Sequence, residues 1–434
     1  MPSASTSTVT LPPFASRPNS SSSASAGVTA VAGCAATGGS GSAGRVVVVG
    51  GGYGGATAAK FVKLWAPDID VTLVEPNLHF ISCPISNLVL GGNARMGDIT
   101  YTYDGLRSRG IRVIRDSATA IDAAKRQVRL AGGDSLAYDR VIVSPGVDFM
   151  MDQIPALKSA DAQNRIPHAW KAGAQTVVLR KQLESMRDGG VYVLQIPLAP
   201  YRCPPGPYER VCQVADYFRK AKPKSKIIVL DSNPDITSKK GLFLAAWNGL
   251  YKGMIDYRPN SEIADVDVRG MTVKLQFDNV KGDVLNVVPA MRAADIAVKS
   301  GLITANNRWC GVDWLTCEST AVKGVHVLGD STLSAAGMPK SGSMANQHAK
   351  VCAAAVVALI KGQPVNADPM MMNTCYSFVS GDSAMHVASV HRYNAAQKTI
   401  LPVKGAGGIS KAASSAEAGF AWGWARNIWA EALA

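Results

Sequence analysis

Residues Arg45–Lys60, Arg-Val-Val-Val-Val-Gly-Gly-Gly-Tyr-Gly-Gly-Ala-Thr-Ala-Ala-Lys, constrain the fold more than any other stretch of the chain. Four consecutive valines predict a parallel strand covered on both faces, because β-branched side chains suit a buried pleated surface. Gly50, Gly52 and Gly55 then fit G-x-G-x-x-G, and Ala56–Lys60 opens a helix. Such a turn lets a pyrophosphate approach backbone N–H groups at a helix N-terminus. The triplet alone also fits an ordinary glycine-rich turn. Here a second strand, Val71-Thr-Leu-Val-Glu75, follows, and Glu75 stands 20 residues after Gly55, where an acid that binds ribose is expected. The stretch therefore predicts a dinucleotide cradle.

Length and charge narrow the class. A chain of 434 residues can bury a sizeable core and suggests two or three domains. It holds no apolar run of the roughly 18 residues that a membrane-spanning helix needs. The formal charge of +13 admits nucleic acid, an anionic membrane, an acidic partner or an anionic substrate. With no nucleic-acid motif and no dense Lys/Arg block, an acidic protein partner or a small anion is the expectation. None of the eight cysteines forms C-x-x-C, so neither a zinc ribbon nor a thioredoxin motif is expected, and no metal site is assigned. Each cysteine reads by default as a small buried hydrophobe, Cys352 most clearly, within Ala349-Lys-Val-Cys-Ala-Ala-Ala-Val-Val-Ala.

Residues 1–44 are rich in Ser, Ala, Gly and Thr, with no acid and only Arg17 as a cation, so they cannot build a core. They read as a leader or a disordered tail. Val31-Ala-Gly-Cys34 resembles a bacterial lipoprotein cleavage box, and no twin arginine is present. Export to the periplasm is the expectation; a plain tail or a misassigned start is the alternative.

Beyond the tail the predicted class is α/β, with two Rossmann-like domains and a C-terminal α+β domain. The expected boundaries are 45–150 for the first part of the cradle domain, 151–291 for a second Rossmann-like domain, 292–365 for the rest of the first, and 366–434 for a C-terminal interface domain. Asp98–Arg109 is expected to be helical, followed by a strand at Gly110–Arg115 and a small antiparallel excursion. Tyr138–Gly146 returns the chain to the first sheet. The second unit repeats the order: helix Ala174–Gly189, strand Gly190–Pro197, helix Tyr208–Lys222, strand Lys226–Asp231. In place of the glycine turn it reads Ala-Pro-Tyr-Arg-Cys-Pro-Pro-Gly-Pro-Tyr-Glu-Arg over Ala199–Arg210. Prolines lack the N–H groups a pyrophosphate needs, so this unit is not expected to hold a nicotinamide dinucleotide.

Gly324-Val-His-Val-Leu-Gly-Asp330 is a short strand ending in Gly-Asp, which reads as a plain strand and turn or, in a flavoprotein of this build, as the acid that meets the ribityl chain. The helix Gln347–Lys361 is expected to aim its N-terminus at the flavin pyrimidine. Ala416–Trp429, with Phe420, Trp422, Trp424 and Trp429, reads as a core or interface helix rather than a membrane anchor.

This order of elements resembles the two-dinucleotide-domain disulfide reductases, with the flavin retained and the nicotinamide site lost. Several stretches resemble one family more closely, the flavoprotein subunit of flavocytochrome c sulfide dehydrogenase. They are Gly50–Lys60, Cys83-Pro-Ile-Ser-Asn-Leu-Val-Leu-Gly-Gly92, Pro167-His-Ala-Trp-Lys-Ala-Gly173, Arg202-Cys-Pro-Pro-Gly-Pro-Tyr-Glu-Arg210, Met338-Pro-Lys-Ser-Gly342 and Asn373-Thr-Cys-Tyr-Ser377. The resemblance implies FAD joined by a thioether to Cys83, although Pro84 stands where the family commonly has an aromatic. Without the resemblance Cys83 would read as a buried thiol. It also implies a redox-active disulfide between Cys203 and Cys375, which sequence alone does not pair, and a proton-accepting role for Glu209. Glu209 reads equally as a first-turn acid that complements a helix dipole. Arg202 and Arg210 are candidate cations for lowering a thiolate pKa. Gly50, Gly52, Gly55, Glu75, Cys83, Gly329, Asp330 and Lys340 are the expected cofactor residues. His168 reads as structural, and Cys310 and Cys317 as either a bridge or free thiols.

The chemistry implied is oxidation of sulfide to sulfur or polysulfide, with electrons passed to a cytochrome c subunit in a heterodimer. No C-x-x-C-H occurs, so haem is expected only on a partner chain. A sulfide:quinone oxidoreductase is the alternative, and a flavoprotein accessory of a sulfur-oxidising complex that does not turn over sulfide is another. The absence of a clear amphipathic anchor and the Cys-Pro-Pro-Gly-Pro match favour the cytochrome reading.

Overall fold

The computed structural model describes residues 42–434, so Cys34 and nearly all of the expected leader lie outside the described residues. The valine run forms the strand Gly44–Val49, central in a five-stranded parallel sheet. Ile69–Val74 and Arg112–Ile114 lie on one side of it, Arg140–Val143 and Val325–Val327 on the other. Val46–Val49 are at most 5% exposed: Val46 and Val48 pack with Ala56, Ala59 and Val62 of the following helix, and Val47 and Val49 with Ile121, Val128 and Leu130 of the antiparallel excursion. Tyr53–Trp65 packs along Gly342–Ile360 on one face.

A second parallel sheet, ordered Ile255–Arg258, Lys226–Asp231, Val191–Ile196, Val284–Val287, carries the repeat of the unit. The chain leaves and re-enters through one antiparallel pair, Val147–Phe149 against Met291–Ala293. At the carboxyl end of the second strand of this repeat, Asp231 spends its lone pairs inside the protein. Oδ2 accepts from Tyr208 (2.8 Å) and Tyr257 (3.0 Å), and Oδ1 from the Asn233 backbone (2.9 Å) and side chain (2.7 Å). The position analogous to Glu75 is thus filled by internal bonds.

Two expectations need correction, and the expected C-terminal α+β part gains its strands. Asp98–Arg109 is not one helix: a 3₁₀ turn Met96–Ile99 leads into a two-residue strand Thr100–Tyr101 and a short helix Asp104–Ser108. Thr100–Tyr101 pairs with Phe80–Ile81, and Tyr103 donates its hydroxyl to Gly51 O (3.1 Å), so cross-chain partners win over local propensity. The helix expected from Gln347 begins at Gly342, where the Ser341 hydroxyl caps it by accepting from Met344 N (3.0 Å). The C-terminal part holds three long antiparallel strands that sequence periodicity did not show: Met370–Phe378, Ala384–Asn394 and Thr399–Ile409.

The last helix, Ser415–Leu433, buries Ala418, Ala421, Ala425, Ile428 and Trp429, joining the first-sheet core. Among the described residues no helix is long and apolar enough to cross a membrane. Cys310 and Cys317, weighed as a bridge, are free thiols in different core clusters, and Cys317 instead abuts Cys352.

The glycine turn is tight enough to test. Gly50 has φ +97°, and a Cβ on Gly55 would lie 1.7 Å from Gly50 O. Gly55→Ala is expected to cost about 1–3 kcal/mol in urea unfolding, the usual range for overpacking a closed site. An unchanged midpoint would show that the turn is looser than drawn.

Candidate functional site

The glycine turn opens into a cavity of about 610 Å³, within the range of small-molecule sites. Its walls come from distant parts of the chain, including Gly50–Gly54, Cys83, Cys203, Gly329–Asp330 and Cys375. Lys340 is absent from these walls.

At the cradle end, the helix Tyr53–Trp65 has no side-chain cap and no acid in its first turn, so its first N–H groups are free for an anion. A Cβ on Gly52 would meet nothing within 4 Å, which leaves open space against the backbone where a phosphate must come close. Glu75 accepts from Gly51 N (2.7 Å) through Oε2 and from Asn77 through Oε1 (2.6 and 2.9 Å), which aims its carboxylate along the wall.

Asp330 Oδ1 is buried with no partner. Burial raises the Asp330 carboxyl, against the pull of Arg202 and Lys340. An orphaned acceptor on a cavity wall fits a ligand hydroxyl. Lys340, expected to touch the cofactor, is placed behind this wall. Its Nζ donates to the carbonyls of Asp330 (3.0 Å) and Thr332 and lies 3.8 Å from the Trp309 ring centroid. Burial lowers its pKa to about 8. Its own carbonyl accepts from Cys203 N (2.8 Å), so Lys340 fixes both the Asp330 turn and the Cys203 loop.

The three cysteines implied by the resemblance all reach the cavity, and all are free thiols. Cys83 precedes the helix Ser86–Gly91, and its sulfur accepts from Ala172 N (3.4 Å). The Ile85 cap of that helix sits at φ +75°, a strained value for a β-branched residue. Cys203 occupies the second unit's turn, where the first unit has its glycines, and takes φ +59°. Burial pushes its thiol up; Cys375 and Glu209 add to the rise, while Arg202 and Lys239 oppose it. Cys375 lies in the strand Met370–Phe378, its sulfur 3.4 Å from Asn373 Nδ2. No S–S bond joins Cys203 to Cys375 in this structure.

Two adjacent residues near the start of the helix Gly206–Ala221 lock these segments together. Glu209 accepts from Asn87 Nδ2 (2.8 Å) and from Phe378 N (2.8 Å), tying the Cys83 segment and the Cys375 strand to the Cys203 helix. Burial raises its carboxyl, against those two bonds. Arg210, 2% exposed, donates to Asn87 Oδ1, Asn286 Oδ1 and the carbonyls of His168 and Ala169. It is therefore a clamp, and like Arg202 it also feels Cys83 and Cys203 across the cavity. Burial lowers the Arg202 pKa, yet Cys83, Asp330 and Cys203 hold it above its ordinary value. His168 is structural, as expected: Nδ1 accepts from Trp170 N (2.9 Å), and burial lowers its pKa to about 3.

Sequence reasoning missed Asn87 and Lys239. Asn87 lies inside a family-like stretch without any spacing that marks it. Lys239 sits in a plain Ser-Lys-Lys loop, yet is 5% exposed and donates to Cys375 O (2.8 Å).

A glycine cradle, an orphaned acid and cysteines on one cavity fit a flavin-binding chain of the disulfide-reductase fold. Comparison with known proteins agrees. Residues 44–178 match the pyridine nucleotide-disulphide oxidoreductase model. Residues 176–289 match the central part of the sulfide dehydrogenase (flavocytochrome c) flavoprotein chain, and 367–433 its flavin-binding part. The chain belongs to the flavocytochrome c sulfide dehydrogenase flavoprotein family. It is 60% identical over 45 residues to the Chlorobaculum thiosulfatiphilum flavoprotein chain, covering 10% of this chain and 94% of that sequence. It is 24% identical over 301 residues to the mitochondrial sulfide:quinone oxidoreductase of Dictyostelium discoideum, covering 66% of this chain and 65% of that one. In fold it is similar to the Aquifex aeolicus sulfide:quinone oxidoreductase, with TM-score 0.73, 17% identity, and coverage of 89% and 91%.

Asn87 gives the test of this site. Asn87→Ala removes partners from Glu209, Arg210 and the Gly206 carbonyl (3.1 Å) together. It is expected to cost about 2–3 kcal/mol in urea unfolding, as stranded buried polar groups do. A change under about 0.5 kcal/mol, the range of an ordinary surface substitution, would contradict the clamp.

Proposed function

We propose that the chain oxidises sulfide to sulfur or polysulfide through Cys203, Cys375 and FAD, and hands the electrons to a cytochrome c subunit outside the membrane core, in the periplasm. The observation that carries this reading is the meeting of Cys83, Cys203 and Cys375 with the glycine cradle on one cavity.

With the pair closed as a disulfide, hydrosulfide attacks one sulfur, giving a persulfide on that cysteine and a thiolate on the other. A second hydrosulfide takes the outer sulfur away as disulfane and leaves two reduced cysteines. Closing the disulfide again releases two electrons and the thiol protons. A bound FAD would supply the two-electron acceptor that this closing needs, and the one-electron chemistry that a haem partner takes up. Asp330 would hold the ribityl chain, the Tyr53–Trp65 helix the pyrophosphate and Glu75 a ribose. Cys83 stands on the wall where a thioether to the flavin would form. Buried Glu209, its pKa raised, suits a group that takes up a proton beside the thiols.

A quinone acceptor is the second reading, supported by the likeness to sulfide:quinone oxidoreductases in sequence and fold. Stopped-flow assays with sulfide and either cytochrome c or a soluble quinone separate the two. Cytochrome reduction with quinone inert supports the first reading; the reverse supports the second. Flavin that stays oxidised under sulfide would leave only an accessory role.

The cysteines have separable tests. Cys203→Ser and Cys375→Ser are each expected to abolish reduction of the flavin by sulfide while flavin stays bound. Retained turnover in either contradicts the disulfide route. Acid precipitation should leave yellow flavin on the native chain and release it from Cys83→Ser; flavin lost from both removes the thioether.

A further inference from the structure

Tyr53 directly follows the glycines of the cradle and lines the cavity, yet its hydroxyl is engaged away from any ligand. It lies 2.6 Å from Ser82 Oγ and accepts from Trp429 Nε1 of the last helix (2.9 Å). The single Ser82 hydroxyl proton goes to Pro84 O (2.6 Å), so the Tyr53 O–H donates to Ser82. The direction of the chain of bonds is thereby fixed, from Trp429 to Tyr53 to Ser82 to Pro84. Its last two members flank Cys83.

The rest of the Cys83 turn is held as closely. Ser82 N donates to Ile99 O (2.9 Å), and the Cys83 carbonyl accepts from Ser86 N (3.1 Å) and Ser86 Oγ (2.6 Å). The sulfur accepts from Ala172 N (3.4 Å). Two residues on, Ile85 keeps φ +75°, so the surrounding bonds over-determine a strained backbone, as they do at functional turns. The Tyr53 ring is fixed too. It stands edge-on to Phe80, with centroids 5.1 Å apart, and a Cβ on Gly342 would lie 2.9 Å from it. One residue thus spans from the N-terminus of the cradle helix to the turn that carries the sulfur.

We propose that Tyr53 is a positioning residue for the bond between Cys83 and the flavin, setting the Cys83 turn in register with the cradle that holds the pyrophosphate. This rests on the reading of the cavity as an FAD site with a thioether at Cys83. Joining Cys83 to the 8α carbon forms one C–S bond and breaks the S–H bond and one C–H bond. Two electrons and two protons end on the flavin, so no outside oxidant is needed. None of the contacts that hold Tyr53 involves a charged group, so the effect is one of placement. Misplacing a reacting atom by about 1 Å can cost on the order of a hundredfold in rate.

The experiment loads the flavin-free full chain with 8-chloro-FAD, which carries chlorine in place of the 8-methyl group. Attack by the Cys83 sulfur forms a C–S bond and expels chloride without moving electrons onto the ring, and the colour of the flavin reports the rate. Tyr53→Phe and Ser82→Ala are each expected to slow this step about tenfold or more. The two act through one bond, so the double variant is expected to be no slower than the slower single one. Iodoacetamide alkylation of Cys83 in the flavin-free chain is expected to keep its native rate in all three, because it reads the thiol and not its register with the cradle. A native rate of chloride release in Tyr53→Phe overturns the inference. So does an equal slowing of chloride release and alkylation, which means that the thiol itself has changed, and so does a native chain that expels no chloride. Should acid strip ordinary FAD from the native chain while 8-chloro-FAD still shows the tenfold contrast, the thioether reading falls and the placement stands. If Tyr53→Phe does not fold, Ser82→Ala carries the test on the same two rates.

Discussion

One side chain, Asn87, joins the two charges on which the site depends. Its amide nitrogen donates to Glu209 and its oxygen accepts from Arg210 Nε (3.1 Å), so neighbouring residues of opposite charge are satisfied by one neutral group. Glu209 then reaches the strand of Cys375 through Phe378 N, and Arg210 reaches the second sheet through Asn286 and the Pro167–Gly173 stretch through the carbonyls of His168 and Ala169. Leaving any of these buried groups unpaired costs more than the bond itself is worth, so the network fixes geometry more than it adds stability. Three cysteines that are remote in sequence share one cavity because this knot holds their segments.

The repeat of the strand–turn–helix unit explains the division of labour. In the first unit the turn keeps glycines and bare N–H groups, which suit phosphate. The second unit has the same turn filled with prolines, which removes those donors, and holds Cys203 there in a left-handed conformation. Asp231, at the position analogous to Glu75, is turned inward to Tyr208 and Tyr257. The turn of this dinucleotide-type scaffold thereby brings a cysteine to the cavity that the cradle of the other unit opens into.

What the sequence made legible follows the range of the interactions. The cradle is local: valines, glycines, helix and acid lie within one short stretch, and the structure places each as expected. The missing glycine turn was equally readable. The C-terminal sheet was not, because Met370–Phe378 lacks clean alternation and Thr399–Ile409 carries Pro402 and three glycines, both unfavourable for a strand pattern. Their pairing is supplied by Ala384–Asn394 between them. Lys340 was placed by motif on the cavity, but its ammonium finds carbonyls behind it. Lys239 and Asn87 gave no signal, since nothing in a Ser-Lys-Lys loop or an isolated Asn indicates a partner more than a hundred residues away.

The central claim is that Cys203 and Cys375 face each other closely enough to form one reversible bond. Peptide mapping of the air-oxidised chain without reductant tests it directly. The account predicts a single linked pair of peptides containing Cys203 and Cys375, split by dithiothreitol, with Cys212, Cys310, Cys317 and Cys352 outside it. Cys203 left unlinked, or joined to any other cysteine, would contradict it.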